Sequence, residues 1–528
     1  MKDSPRSFFG RLHTLTLVLL FLAALAIRLY DLTDLPLDFH PTRQLFSALK
    51  ARGMYYLSLT GLPHWMRAEA NQQMNLRVTV EPEIIERLVA FTWRFTGDEL
   101  WVARVYSIAF WLIGGIFLYL LARDLFSPDG ALFAAAFYLF LPYGIYASRS
   151  FQPDPLMVTL ILGFWWAIVR WAEEISPRRR EGREDALALR EVDSPSRSSR
   201  LRGSNWLWVI LASLFGGLAI FIKLSAAFFV IGGALGAALG RFNLREIFRN
   251  PQVYAMAILG ALPGAAWVIY GISSGFLGQQ FGGRFIPSLL VSPSYYLGWL
   301  QMIGNVLGPL TIALALLGLF FVREKKTRAL SFGLWGAYFA FGFFFNYHIS
   351  THDYYSLPLI PIAALSLTPL AELGLAHLTE STSGSRVKRT LAASVLTLGL
   401  FAVVWNARGV LKSVDYRPEA DMWAEIGETL GHPAPVAALT QDYGARLAYW
   451  GWETAVNWPR SSDFEYSELR GGGSDYEKRL GQLAGKFFLV TDFDDLKRQP
   501  QLEEYLLQFP VFAEGEGYII YDLRKGLP

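Results

Sequence analysis

Carboxylates at the ends of apolar stretches are the residues of this sequence best placed to do chemistry. Asp38 follows Leu35-Pro36-Leu37, Glu81 and Glu83 flank Pro82, and Asp154 stands in Gln152-Pro153-Asp154-Pro155. A charge held in or against an apolar slab is costly unless it is paired or solvated, so each needs a reason to be there. Such a carboxylate can take a proton from an acceptor hydroxyl or amine. Plainer roles compete. Asp154 before Pro155 fits a helix N-cap and first turn, and Glu81 and Glu83 fit solvated charges ahead of an amphipathic helix. Asp38 is the residue favoured for function. A second set is cationic: Arg28, Arg149, Lys223 and Arg284. Arg meets a phosphate with a planar fork and Lys with a point charge, while the plainer role of either is to snorkel to lipid headgroups.

The run His348-Ile349-Ser350-Thr351-His352-Asp353-Tyr354-Tyr355 places two histidines four residues apart, on one face of a continued helix. With Asp353 they form a weak signal for a divalent metal, set against polar substrate contacts or capping. No cofactor is expected. The chain has no cysteine, which excludes disulfides, thiol nucleophiles and zinc–thiolate sites. A Walker A loop is absent, and no GxGxxG follows a strand and opens a helix. A nucleic-acid partner is not expected either.

These residues must be positioned by membrane helices. Of the 528 residues, 53% are hydrophobic and only 18% charged, against about 25% in ordinary soluble chains. Mean hydropathy is +0.29. About eleven stretches have the length and apolarity of a spanning helix. They lie near 14–29, 101–121, 130–147, 155–172, 206–222, 224–240, 253–272, 300–322, 329–347, 355–377 and 390–406. The first ends in Ala26-Ile27-Arg28-Leu29-Tyr30 without a small-residue cleavage site, so it is read as a span and not a signal peptide.

Lys and Arg concentrate in alternate loops: Lys2 to Arg11, Arg123, Arg178 to Arg202, Arg241 to Arg249, Arg323 to Arg328, and Arg386 to Arg389. The positive-inside rule makes that side cytoplasmic. It leaves the connection 30–99 and the tail 408–528 outside a cell inner or plasma membrane. The first connection holds amphipathic pieces at 45–52 and 84–91, read as interfacial helices. In the tail, Val436–Leu439, Phe487–Val490 and Tyr518–Tyr521 are strand-like, among helical patterns at 418–430, 474–484 and 495–508. The expected architecture is therefore mostly α. It has a polytopic domain, 1–407, with a solvated cytoplasmic loop at 174–204, and an extracytoplasmic α/β domain, 408–528.

Several short segments, in order, resemble the GT-C glycosyltransferases, on the protein mannosyltransferase and aminoarabinose transferase side. They are Ala26-Ile27-Arg28-Leu29-Tyr30-Asp31-Leu32, Ala48-Leu49-Lys50-Ala51-Arg52-Gly53-Met54, Glu81-Pro82-Glu83, Phe95-Thr96-Gly97, Val102-Ala103-Arg104-Val105 and Leu120-Leu121-Ala122-Arg123. Arg149 with Gln152-Pro153-Asp154-Pro155, Gly216-Gly217-Leu218-Ala219 with Lys223, and His352-Asp353-Tyr354-Tyr355-Ser356-Leu357-Pro358 follow. There is one departure. Members usually carry Asp-Glu in the first outer loop, often after His-Pro, and the Asp serves as base. Here His40-Pro41 is followed by Thr42-Arg43-Gln44.

The resemblance implies inverting transfer of a sugar from a polyprenyl-phosphate donor to a lipid, glycan or protein acceptor on the outer face. Asp38, Glu81, Glu83 or Asp154 would orient or deprotonate the acceptor. His40, Arg43, Arg149, Lys223, Arg284, His352, Asp353 and Tyr354 would contact donor or acceptor. The alternatives are a transporter or lipid flippase, and a non-catalytic GT-C-like assembly protein. The first predicts charges within the membrane, broken helices and internal repeats. No repeat relates the halves, and the candidate charges gather at one face.

Overall fold

The computed structural model describes residues 8–76, 79–175, 196–277, 284–473 and 475–525. Most of the loop expected at 174–204 lies outside the described residues. Each expected apolar stretch carries a helix. Among the described residues, six helices are long and apolar enough to cross a membrane alone: Gly10–Leu29, Trp101–Leu125, Asp154–Glu174, Pro251–Ser273, Leu359–Ser381 and Arg386–Leu411. Pro293–Leu307 and Pro309–Leu319 form a pair bent by 91°. The break falls at Gly308-Pro309, where Gly308 takes φ 79° and Pro309 has no N–H to give.

Pro128–Phe140, Trp206–Ile222 and Ala226–Leu239 are shorter apolar helices. Lys325–Phe344 opens on Lys325, Lys326 and Arg328. Ala226–Leu239 and Lys325–Phe344 pack backbone to backbone through small residues. A Cβ on Gly236 would stand 2.8 Å from Leu330 Cα, and one on Gly232 would stand 2.5 Å from the Gly333 oxygen. Residues spaced four apart on one face thus set the closeness of this pair.

The connection after the first span folds into three helices, Pro41–Leu57, His64–Leu76 and Ile84–Thr96. Pro41–Leu57 buries Leu45, Ala48 and Leu49 against Ile85, Val89 and Trp93 on one side and Ala445, Ala448 and Tyr449 on the other. Ile84–Thr96 leaves Phe91 and Phe95 exposed, as a helix at a lipid interface does. The layer therefore joins the membrane helices to the C-terminal domain, and places 30–99 and 408–528 on the same side.

That domain is a five-stranded sheet of β1 (Val436–Leu439), β2 (Val456–Asn457), β3 (Phe487–Val490), β4 (Val511–Gly515) and β5 (Tyr518–Asp522). Their order is β2-β1-β3-β5-β4. β1 runs parallel to β2 and β3, and β5 antiparallel to β3 and β4. Alternate residues of β1 and β3 enter two separate cores. Burial on both faces explains their unbroken apolar runs. β2 and β4, mostly exposed at the sheet edges, carry no such run and escape a reading by hydrophobicity.

Candidate functional site

Glu81, Lys223 and Arg284 meet at one cavity of about 230 Å³. Each comes from a place where regular structure stops. Glu81 precedes Pro82 ahead of Ile84–Thr96, Lys223 occupies the break between Ser196–Ile222 and Ala226–Leu239, and Arg284 precedes the short turn Pro287–Val291. The walls are apolar, with Phe221, Phe228, Trp267, Phe344 and Phe345 beside Tyr355.

Two ion pairs build the polar end. Lys223 Nζ donates to Asp154 Oδ1 at 2.8 Å, with both side chains almost wholly buried. The ammonium also lies 5.2 Å from the Tyr355 ring centre and 5.4 Å from that of Tyr354, within the range of a cation–π attraction. Arg43 donates to Glu81 Oε1 at 3.1 Å. Burial alone would raise the Glu81 carboxyl, but the charges of Arg43, Lys223 and Arg284 outweigh it and hold the group below the usual carboxylate range. Glu81 is thus an ionised carboxylate among cations at the edge of an apolar chamber. It can accept a hydrogen bond or a proton from a hydroxyl, and the cations can meet an anion.

A second cluster adjoins the first. His40 Nε2 donates to Asp353 Oδ1 at 2.7 Å, and the Tyr143 hydroxyl donates to the same oxygen at 2.6 Å. These bonds overcome burial and lower the Asp353 pKa. The His40 ring stands 4.7 Å from that of Tyr354. His40 itself takes a left-handed backbone (φ 44°), turning the chain into Pro41–Leu57 so that Arg43 reaches Glu81. His352 is pushed down to about 4 by burial and by His40 and Arg43, and is therefore neutral near pH 7. Because Asp353 faces His40 and Tyr143, it does not close on His348 and His352. Among the described residues no three His, Asp or Glu side chains form a group suited to a metal ion.

Of the twelve residues expected at the site, Glu81, Lys223 and Arg284 line this cavity and the other nine do not; three of those nine, Asp38, Arg149 and Glu83, are engaged elsewhere. Asp38 accepts from Arg104 at 3.4 Å. Arg104 also donates to the carbonyls of Asp31, Leu32 and Leu35, and Arg149 donates to that of Asp31 at 2.8 Å. With Arg28, which donates to Ser148 and to the carbonyls of Ala24 and Leu139, they fasten the chain leaving the first span. The expectation that Asp38 stands at the cavity is therefore replaced by a place in this fastening. Glu83 turns to Lys50 (3.1 Å) and accepts from Thr79 (3.0 Å). Tyr355 lines the cavity without having been expected there, although it lies in the His352–Pro358 motif. Tyr143 and Trp267 were not expected either, because their aromatic runs carry no distinguishing signal.

Residues 81–179 match the family model of the dolichyl-phosphate-mannose-protein mannosyltransferases. Curated protein sequences contain no match to the chain. Solved structures do. ArnT from Cupriavidus metallidurans, bound to undecaprenyl phosphate, is 14% identical with a TM-score of 0.61, over 97% of this chain and 98% of that one. Its apo form gives 14% and 0.57, over 96% and 98%. The archaeal oligosaccharyltransferase AglB from Archaeoglobus fulgidus, in complex with an inhibitory peptide and a dolichol-phosphate, is 11% identical. Its TM-score is 0.52, over 98% of this chain and 75% of that one. The chain therefore has the fold of the GT-C glycosyltransferases. Within that class it is similar to protein mannosyltransferases in the matched segment and to ArnT over its whole length.

Proposed function

We propose that this protein is a membrane glycosyltransferase that moves a sugar, with inversion, from a polyprenyl-phosphate donor to an acceptor on the extracytoplasmic face. The observation that carries the reading is the convergence of Lys223, Arg284 and Glu81 on one aromatic-walled cavity. A lipid-linked phosphate is apolar at one end and anionic at the other, and the lining complements it with apolar walls and two cations. The solved neighbours holding undecaprenyl phosphate and dolichol-phosphate support it.

In this reading the acceptor oxygen attacks the sugar carbon from the side opposite the phosphate. The bond from that carbon to the phosphate oxygen breaks, and polyprenyl phosphate leaves with its charge on Lys223 and Arg284. The acceptor proton passes to Glu81. Before donor binding, the cations depress the basicity of Glu81. A bound phosphate draws their charge to itself, so the carboxylate becomes a better base when the donor is in place. Asp154 orients the Lys223 ammonium. The acceptor's own class is left to experiment.

A transfer assay with a panel of polyprenyl-phosphate sugars tests the reading. Transfer should occur with one or more donors, and Lys223→Ala should weaken donor binding as well as turnover. A pure, folded protein that binds none of the donors would refute it. Reporter fusions at Gly203 and Lys412 test the sidedness, with opposite sides expected and Lys412 outside.

A further inference from the structure

We propose that the C-terminal domain holds a second binding site, for a neutral or amine-bearing saccharide, in the cleft at the carboxyl ends of β1 and β3. β1 lies between β2 and β3, both parallel to it. The chain thus leaves β1 to one side for β2 and comes back on the other for β3. The crevice beyond the carboxyl ends of strands at such a reversal is where open α/β sheets take their ligands. A cleft of about 690 Å³ lies there.

Its floor is Gln441, just after β1, and Thr491 and Phe493, just after β3. The Gln441 amide donates to the Thr491 carbonyl at 2.9 Å, and the Thr491 hydroxyl donates back at 2.7 Å. The walls are the helix Arg417–Leu430 and the turn Glu516-Gly517 between β4 and β5. None of these residues lines the membrane cavity, so the site stands independently of the transfer reading.

Two features select the ligand. Glu419, Asp421, Glu425 and Glu516 face one cation, Arg446, which is already paired with Glu419 and Asp442. That balance repels phosphates and carboxylates and offers many acceptors to hydroxyl or ammonium donors. Trp423 also lines the cleft. It is 1% exposed, and its indole N–H has no acceptor among the described residues. A buried donor without a partner is costly, and a ligand oxygen in the cleft relieves it. Saccharide hydroxyls donate and accept, so they suit the carboxylates and the indole together. Lys and Arg side chains only donate. The half-buried Phe493 ring adds an apolar surface for the C–H face of a sugar.

Calorimetry on the full chain in detergent tests this, with the trisaccharides of glucosamine and N-acetylglucosamine, trigalacturonate and trilysine as probes. The first two should bind and trigalacturonate should not. Trp423→Phe keeps an aromatic side chain, though a smaller one, and removes the N–H, and should weaken both saccharides about tenfold. Glu516→Gln, on an exposed turn, should weaken the amine-bearing one more than the acetylated one. Three results would each overturn the site: no saccharide binding, undiminished binding by Trp423→Phe, or binding of trigalacturonate or trilysine alone. Saccharide binding lost in Lys223→Ala and kept in Trp423→Phe would move it to the membrane cavity and overturn it too.

Discussion

Replacing Glu81 by Gln separates proton transfer from donor binding. The amide keeps the shape of the side chain, and its oxygen can still accept from Arg43, which now sits 3.1 Å from the carboxylate. Only the negative charge and the basicity go. Removal of a general base typically lowers the rate about 10²- to 10⁴-fold, which is about 2.7–5.4 kcal/mol of barrier. Donor binding should move the other way or not at all, because Lys223 and Arg284 lose one competing anion. The contrast is Asp38→Asn. Asp38 faces Arg104 and does not line the cavity, so its loss should leave the rate of the bound complex within about threefold, in line with a surface substitution away from the chemistry. The assay is single-turnover transfer beside a separate measurement of donor affinity. Near-wild-type turnover by Glu81→Gln in a demonstrably active preparation would refute the assignment. Collapse of Asp38→Asn with Glu81→Gln intact would move the base to the first loop.

Three further outcomes follow from the same geometry. Glu81 is held below its ordinary value of 4.5, so it stays ionised as pH falls toward that value. The acid limb of kcat/KM should lie below it, and Arg43→Gln should shift the limb upward by removing a neighbouring cation. His352 titrates at about 4 in the fold against 6.5 when free. Between those values the unfolded chain binds more protons, so stability falls as pH drops through the window. His352→Gln should flatten that part of an apparent Tm against pH curve. Asp154→Ala strands the buried Lys223 ammonium and should cost about 3–5 kcal/mol, whereas Asp154→Ala with Lys223→Leu should recover much of it. Thermal unfolding in detergent compares the two.

What the sequence reveals depends on how locally the physics acts. Spanning helices declare themselves because every turn must be apolar and every backbone group satisfied within the segment. β1, β3 and β5 do so because both faces of the sheet are covered. Pairing partners act at a distance and leave no such trace. His40 meets Asp353 across 313 positions and Lys223 meets Asp154 across 69, and neither distance is written in periodicity or composition. Asp38 misled for a related reason. It is the acid nearest the place where related chains carry Asp-Glu, and proximity in sequence took the place of geometry. The fold instead puts a cation, Arg43, into that neighbourhood and sets it against Glu81, an acid further along the same connection. The first outer connection therefore brings a carboxylate to the cavity that Lys223 lines, with Arg43 on the helix Pro41–Leu57 paired to Glu81 ahead of Ile84–Thr96. That pairing makes Arg43 and Glu81 a unit to be altered together. Arg43→Ala should therefore disturb Glu81 more than any change at Asp38 does, and the double variant Arg43→Ala/Glu81→Ala should fall well short of the sum of the two single losses.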